Sequence, residues 1–265
     1  MKNTVEKNNI FWWKKIRNDE LTTALKLFPS DKNLKVLEIG GRDGYQAELI
    51  SKKGYNVTSI DINPLFPQFH LVQKGSINKL NFDENVFDII YSSNMLQEIY
   101  NIEDAFMEMK RVLKKDGVII HIVPSSWWSL TTNFWHYCFI PKYLIKSKKF
   151  KHIFNLDGKK ENRSIESPKE ENLESSKKNL KQLFFHPLGA NASFIHEIVY
   201  FQKNYWKKLF NQNKFKIIKE KNCPYIYSGY SIFKFRFLKL RRFLAKKIPS
   251  CYCFVLSVNS DVQIK

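Results

Sequence analysis

The fold is decided by residues Val36–Gly44, which have the sequence VLEIGGRDG. Val36–Ile39 predicts a short buried strand, and a turn with glycine at positions 40, 41 and 44 follows it. Tyr45–Lys53 then predicts a helix. Glycine lets the backbone turn tightly and lets a ligand approach the main chain, and the start of a helix presents free N–H groups. The stretch therefore predicts a ligand-binding turn between a strand and a helix.

Strands and helices continue to alternate after the glycine turn. Asn56–Ile60 predicts a strand that ends at Asp61, and Phe87–Ser92 and Val118–Val123 predict two more strands. Between these two, Asn101–Lys115 predicts a helix that Asn101 can cap. Alternation at this pace predicts an α/β fold with a parallel sheet and helices on both faces.

Asp61 and the glycine turn together narrow the kind of ligand. Asp61 follows Gly44 by 17 residues, and an acidic group at the end of the second strand typically accepts hydrogen bonds from a ribose diol. Arg42 interrupts the G-x-G-x-x-G spacing of nicotinamide dehydrogenases, and no Lys-Ser or Lys-Thr pair follows the glycines as in a P-loop. Both positions belong to the carboxyl ends of adjacent strands, where open α/β sheets bind ligands.

The composition fits one large domain with an anionic partner. The 265 residues are 43% apolar, which is enough for a core and excludes global disorder. Lys and Arg exceed Asp and Glu by 44 to 25, so the net charge of +19 favours nucleic acid, a membrane surface or a phosphorylated substrate as partner. Abundant lysine and asparagine leave a coding bias towards AT-rich codons as the other explanation.

The cysteine pattern and the hydropathy bear on location. The four cysteines lack disulfide or metal-site spacing, so we expect no metal and a reducing, cytoplasmic environment. Met1–Asn9 is polar and lacks the apolar core of a signal peptide. No apolar run reaches about 18 residues, which argues against a spanning helix.

The pattern divides the chain into three parts. Residues 1–126 hold an N-terminal helix and the ligand-binding half of the domain, and residues 127–182 form an inserted aromatic cap and a flexible charged segment. Residues 183–265 complete the sheet. They contain a predicted helix over Ile198–Gln212 and a basic amphipathic helix over Ile232–Ile248, whose apolar stripe we expect to pack on the sheet.

Five motifs between about residues 34 and 126 resemble the class I S-adenosylmethionine-dependent methyltransferases, in particular the type-11 group. In chain order they are Val36–Gly40 with Gly44, Val57–Asp61, Leu80–Asp88, Ser92–Ile99 and Arg111–Gly117. Arg42 stands where the family usually has glycine, Ser76 stands where an acidic residue often contacts adenine, and the loop histidine is absent near Glu98. The turn Gly40–Gly44 resembles the version found in methyltransferases of bacterial surface-polysaccharide clusters.

The resemblance implies a Rossmann-like sheet, mostly parallel with an antiparallel final strand, and S-adenosylmethionine as cofactor. It assigns Glu38 and the backbone of Gly40, Gly41 and Gly44 to the methionine portion, Asp61 to the ribose, Ile62, Ser76 and Ile77 to the adenine, and Asn94 to the sulfonium side. A buried unpaired carboxylate is costly, which favours a functional role for Glu38. Structural alternatives remain open, since Asp61 could cap a helix before Asn63-Pro64 and Asn94 could cap a turn.

On the acceptor side the candidate general bases are His186 and Glu197, which resemble a segment of the same methyltransferase group. A structural histidine is the alternative for His186. His121, within a predicted strand, is expected to be a core histidine, and His136 and His196 are further candidates.

We therefore predict an S-adenosylmethionine-dependent methyltransferase that acts on a carbohydrate or lipid-linked acceptor of cell-surface biosynthesis. The alternatives are a nucleic-acid or small-molecule methyltransferase and a non-catalytic binding module. Phe201–Ser250 holds 14 Lys and Arg against one acid, so we expect peripheral contact with an anionic membrane through Ile232–Ile248, at its cytoplasmic side. The absence of an RNA-binding motif disfavours a nucleic-acid partner.

Overall fold

A seven-stranded sheet forms the centre of the computed structural model, which describes residues 2–146, 194–229 and 232–258. The strand order is β3-β2-β1-β4-β5-β7-β6. All pairs are parallel except those of β7, which runs antiparallel to both β5 and β6. The strands are β1 (Lys35–Ile39), β2 (Asn56–Asp61), β3 (Val72–Lys74), β4 (Phe87–Ser93), β5 (Leu113–Pro124), β6 (Lys216–Asn222) and β7 (Cys251–Ser257).

Helices lie on both faces of this sheet. They are α1 (Lys2–Leu25), α2 (Tyr45–Ser51), α3 (Ile102–Val112), α4 (Ser126–Lys146), α5 (Phe194–Tyr200), α6 (Lys203–Gln212) and α7 (Leu238–Leu244), with a 3-10 turn at Leu96–Glu98. The alternation of side chains along β4 separates the two layers, because successive residues of a strand point to opposite faces.

Two neighbouring residues of β4 show this separation. Tyr91 accepts a hydrogen bond from Gln46 of α2 at 3.1 Å and packs against Phe28, just after α1. The next residue, Ser92, hydrogen-bonds to His121 of β5 at 2.7 Å, and the His121 ring stacks on Phe210 of α6. The layer with α1 and α2 therefore covers one face and the layer with α6 covers the other.

The predicted fold class is confirmed, including the antiparallel last strand. Two boundaries differ from the prediction. Residues 113–117, predicted as the end of a helix, begin β5, because Leu113 pairs with Phe87 of β4. The helix predicted over Ile198–Gln212 is two helices, α5 and α6, which are separated at Phe201–Gln202.

The basic helix differs most from its prediction. It extends over Leu238–Leu244 instead of Ile232–Ile248, and most of its apolar side chains face outwards, although Leu238 packs against the core. Phe237, Leu240 and Phe243 are 63%, 55% and 66% exposed, whereas Arg241 is buried. Arg241 donates hydrogen bonds to the Ile226 and Lys234 carbonyls, so satisfying its guanidinium orients the helix.

Some predictions lie partly or wholly outside the described residues. The helix α4 includes the aromatic stretch from Trp127 onwards, but most of the predicted insertion 127–182, with its charged segment, falls in residues 147–193. Among the described helices, none combines the length and hydropathy needed to cross a membrane.

Candidate active site

The glycine turn is fixed against the end of β2. The N–H groups of Gly40 and Gly41 both donate to the Ile60 carbonyl, at 2.9 and 3.0 Å. Two of the glycines are also required by close contacts. A Cβ on Gly41 would lie 2.0 Å from the Ser59 Oγ, and one on Gly44, whose φ is +73°, would lie 2.3 Å from the His70 carbonyl oxygen. The turn therefore tolerates only glycine at these two places.

Arg42 has an unusual backbone conformation. Its φ is +52°, in the left-handed region where L-residues with a Cβ pay about 1–2 kcal/mol. A glycine at this position would adopt the conformation without that cost. Here the N–H of Arg42 donates to the Asp61 Oδ2 at 2.9 Å, which helps to hold the residue in place.

Glu38 lies beneath the turn as a buried carboxyl. It is 2% exposed on β1 and accepts a 2.6 Å hydrogen bond from Ser59, its partner across the β1–β2 pair. The pKa of Glu38 is raised to about 7, mainly by burial; the hydrogen bond from Ser59 acts against this rise, and the nearby Asp43 and Asp61 charges add to it. The carboxyl therefore exchanges its proton near neutral pH.

Asp61 connects the turn to the loop after β2. Its Oδ2 accepts from the Arg42 N–H and its Oδ1 accepts from the Asn63 N–H at 2.8 Å. Residues 62–71 contain no helix, so the alternative of Asp61 as a helix cap is wrong. Each oxygen keeps a further lone pair for a donor such as a ribose hydroxyl.

The predicted adenine contacts follow β2 and β3 at the same edge of the sheet. The Gly75 N–H donates to the Asp61 carbonyl at 2.9 Å, which places Ser76 and Ile77 next to the end of β2. Ile62 is 63% exposed, Ser76 is half-buried and Ile77 is buried. The structure therefore brings Glu38, the glycine turn, Asp61 and these three residues to one edge, as the sequence predicts.

Asn94 follows β4, the strand on the other side of β1. Its φ is +52°, and its N–H donates to the Ile122 carbonyl of β5 at 2.7 Å. Its side-chain oxygen accepts from the Cys251 thiol of β7 at 3.3 Å. Contacts to two neighbouring strands fix the orientation of Asn94 at this edge.

A buried polar cluster that the sequence analysis missed extends from Asn94 to α1. Glu20 is 1% exposed, accepts a 2.6 Å hydrogen bond from the Tyr227 hydroxyl and pairs with Arg17 at 2.7 Å. The Tyr227 hydroxyl also contacts the Cys251 sulfur at 3.2 Å. The sequence signal that could have indicated a buried Glu20 is its position beside apolar Leu21 in a predicted helix. Glu38 gives the same kind of signal within its apolar strand.

On the acceptor side, Glu197 of α5 is buried and accepts a 2.8 Å hydrogen bond from Ser129 of α4. It lines a cavity of about 80 Å³ with Gln97 and the aromatic Tyr200 and Tyr205. Among the described residues, the buried Oε1 of Gln97 has no hydrogen-bond partner. The cavity therefore presents two polar groups between the loop after β4 and helices α5 and α6.

The histidine candidates have different outcomes. His186 lies outside the described residues. His121 is fully buried, and burial lowers its pKa to about 3, so it stays neutral in the core as predicted. His196 is exposed and stacks on Tyr200 with ring centroids 5.6 Å apart. Among the described residues no group of three or more His, Cys, Asp or Glu is placed to bind a metal ion.

Replacing Tyr227 by phenylalanine should destabilise the protein, because buried Glu20 loses a hydrogen bond. We expect the free energy of unfolding in urea to fall by about 1–3 kcal/mol. Tyr137→Phe is the matched control, since the Tyr137 side chain is 49% exposed and its loss should change stability by less than about 0.5 kcal/mol. Equal stabilities of the two variants would contradict the assigned role of Tyr227.

The raised pKa of Glu38 predicts a pH-dependent stability. Between the unfolded pKa near 4.5 and the folded pKa of about 7, the native state binds the extra proton, so stability decreases as pH rises. Relative to Glu38→Gln, the wild type should lose at most about 3 kcal/mol over this window. Urea unfolding at several pH values measures the difference, and parallel profiles for the two proteins would refute the shift.

Comparison with known proteins agrees with this geometry. Residues 37–121 match the type-11 family described as Methyltransferase domain. No curated protein sequence matches the chain significantly.

Solved structures share the fold at low sequence identity. An S-adenosylmethionine-dependent methyltransferase from Thermotoga maritima has a TM-score of 0.52 and 15% identity, covering 98% of this chain and 96% of its own. Another from Archaeoglobus fulgidus has a TM-score of 0.51 and 13% identity, covering 92% of this chain and 93% of its own. A third from Mesorhizobium loti has a TM-score of 0.50 and 11% identity, covering 90% of this chain and 97% of its own. Residues 37–121 thus match a methyltransferase domain, and the described sheet has the fold of these solved S-adenosylmethionine-dependent methyltransferases.

Proposed function

We propose that this protein methylates a carbohydrate or lipid-linked acceptor of cell-surface biosynthesis. The observation that carries the proposal is the small cavity at Glu197, which opens beside the loop that follows β4. This loop begins at Asn94, on the edge where the predicted cofactor residues lie. An acceptor group in the cavity would therefore lie close to the predicted cofactor site.

The residues at the sheet edge fit the parts of the cofactor. The Asp61 oxygens suit a ribose diol, and exposed Ile62 beside it suits one face of an adenine ring. Glu38 and the glycine turn would hold the methionine portion, with Asn94 on the sulfonium side. When bound, S-adenosylmethionine supplies an electrophilic methyl group, and the task of the chain is to align the acceptor atom with it.

The acceptor residues combine a base with aromatic surfaces. Glu197 would take the proton of an acceptor hydroxyl or amine, and the Ser129 hydroxyl holds one of its oxygens. Tyr200 and Tyr205, with ring centroids 4.7 Å apart, offer flat faces of the kind that pack against sugars. Since the cavity measures only about 80 Å³, it would admit the reacting group and leave the rest of the acceptor outside. His186 remains the second candidate base.

A lipid-linked acceptor would place the protein at the cytoplasmic side of a membrane. We propose that the segment 232–248 makes this peripheral contact, since it contains seven Lys and Arg and no acid. The outward-facing Phe237, Leu240 and Phe243 support contact with an apolar phase. A small-molecule acceptor is the second candidate function, because the cavity alone would accommodate one.

Cofactor binding tests the first part of the proposal. Calorimetric titration with S-adenosylhomocysteine should give micromolar affinity for the wild type and a loss of at least tenfold for Asp61→Ala, which removes the ribose acceptors. Asp83→Ala, which removes an exposed carboxylate elsewhere, should bind as the wild type does. No binding by a folded wild type at millimolar ligand would refute the enzyme and favour a non-catalytic module.

Glu197→Gln tests the acceptor side separately. The amide cannot take a proton, so turnover of surface-glycan and lipid-linked acceptors should fall by about 100-fold or more, with unchanged affinity for S-adenosylhomocysteine. Glu84→Gln, at an exposed carboxylate outside the cavity lining, is the matched control. Turnover that is unaffected by Glu197→Gln would remove Glu197 as the base and leave His186 to be tested in the same way.

A further inference from the structure

On the surface formed by α7 and the residues before it, a cationic side chain is buried and apolar side chains are exposed. Arg241 is the buried member of the helix and lies over the Trp12 ring of α1 at 4.6 Å. Phe235, before the helix, packs edge-on against the same ring at 5.4 Å. These contacts fix α7 against α1. The outward side chains of the segment alternate between apolar and cationic types.

A groove lies between α1 and α7 on this surface. It has a volume of about 420 Å³, and its walls contain no carboxylate. We call it the cationic groove and define it by Lys15, Lys239, Arg242 and Lys246 with the aromatic rings of Tyr225 and Phe243.

Three of the four cations contact neighbouring side chains, and Lys246 does so by lying over the Phe243 ring at 5.7 Å. Lys15 forms an ion pair with Asp19 at 2.7 Å, and Arg242 donates to the Tyr225 hydroxyl at 2.6 Å. Lys239 and Lys246 are exposed at the rim. One Asp therefore balances only part of the charge, and the groove keeps an excess of positive charge above an apolar floor.

A ligand must match both properties of the cationic groove. An anion without an apolar part would leave the floor uncovered, and an apolar molecule would leave the cations unmatched. We propose that the cationic groove binds a phosphate ester that carries an apolar chain, as the headgroup of an anionic membrane lipid. This inference rests on the proposed membrane contact and goes beyond it, because it assigns one lipid to a defined site.

The surroundings of the groove fit a bilayer surface. Leu240, Phe243 and Leu244 of α7, which is about 10 Å long, are exposed, and so is Phe237 just before it. Amphipathic elements bury such side chains about 5–10 Å into the boundary between headgroups and acyl chains. With the apolar residues inserted, the cations beside them would lie at the depth of the lipid phosphates.

Two probes test the site, with the full-length protein. The first is dihexanoyl phosphatidic acid below its critical micelle concentration, titrated by calorimetry against inorganic phosphate. We expect saturable binding of the lipid, at least tenfold weaker binding of phosphate, and a loss of at least tenfold in Arg242→Gln/Lys246→Gln. The second is flotation with vesicles of phosphatidylcholine, with or without phosphatidylglycerol.

The vesicle experiment separates the groove from general charge. Lys239→Gln/Arg242→Gln/Lys246→Gln should reduce partitioning to anionic vesicles by about 100-fold, from about fivefold per cation. Lys26→Gln/Lys53→Gln/Lys208→Gln removes the same charge from exposed positions elsewhere and should reduce it by less than tenfold. Phe237→Ser/Phe243→Ser should weaken vesicle binding as well.

The outcomes distinguish the proposals. Vesicle binding without saturable binding of the monomeric lipid would overturn the lipid site and leave the membrane contact standing. A wild type that does not bind vesicles would overturn both the lipid site and the membrane contact. Equal loss of vesicle binding in the two triple variants would show that binding depends on overall positive charge, which would overturn the lipid site in the groove. Binding to duplex RNA or DNA in place of vesicles would also overturn the inference. Affinity for S-adenosylhomocysteine is measured in every variant, so failure of the methyltransferase proposal is detected independently.

Discussion

The rest of the site depends on the hydrogen bonds that fix the glycine turn to the end of β2. Because Gly40 and Gly41 share the Ile60 carbonyl, the ends of β1 and β2 cannot move apart without breaking both bonds. Asp61 strengthens this connection by accepting from Arg42 in the turn. The buried Glu38 carboxyl and its Ser59 partner lie directly below. The predicted ligand groups are thus positioned by the backbone of two adjacent strands, with little contribution from long flexible side chains.

The sequence predicts this edge well because its signals are local. The strand, the glycines and Asp61 each depend on residues close in the chain, and the sheet order then brings them together. The signals fail where contacts are long-range. Nothing near Glu20 in the chain indicates that Tyr227 donates to it from the far side of the fold. The proposed roles of His186 and Glu197 depend on tertiary placement that local patterns do not determine.

The basic segment shows a different kind of failure. Helical periodicity over Ile232–Ile248 predicts an apolar stripe and assumes that the stripe faces the core. In the structure Arg241 takes the inner position, since the Ile226 and Lys234 carbonyls and the Trp12 ring accommodate its guanidinium. An amphipathic pattern predicts two faces, but it does not determine which face is turned inwards. Burial of one satisfied cation decides this orientation, and the aromatic side chains consequently face solvent.

The antiparallel strand β7 has a consequence for the order of assembly. It lies between β5 and β6, and all of its residues are buried. Among the described strands β6 pairs only with β7, so β6 cannot join until a strand that comes about 30 residues later in the chain has been synthesised and inserted. The half of the sheet with β1 to β5 has no such requirement. Nascent chains can therefore pair β1 to β5 first and add β7 and β6 last, and the contact from Cys251 to Asn94 forms only when β7 is inserted.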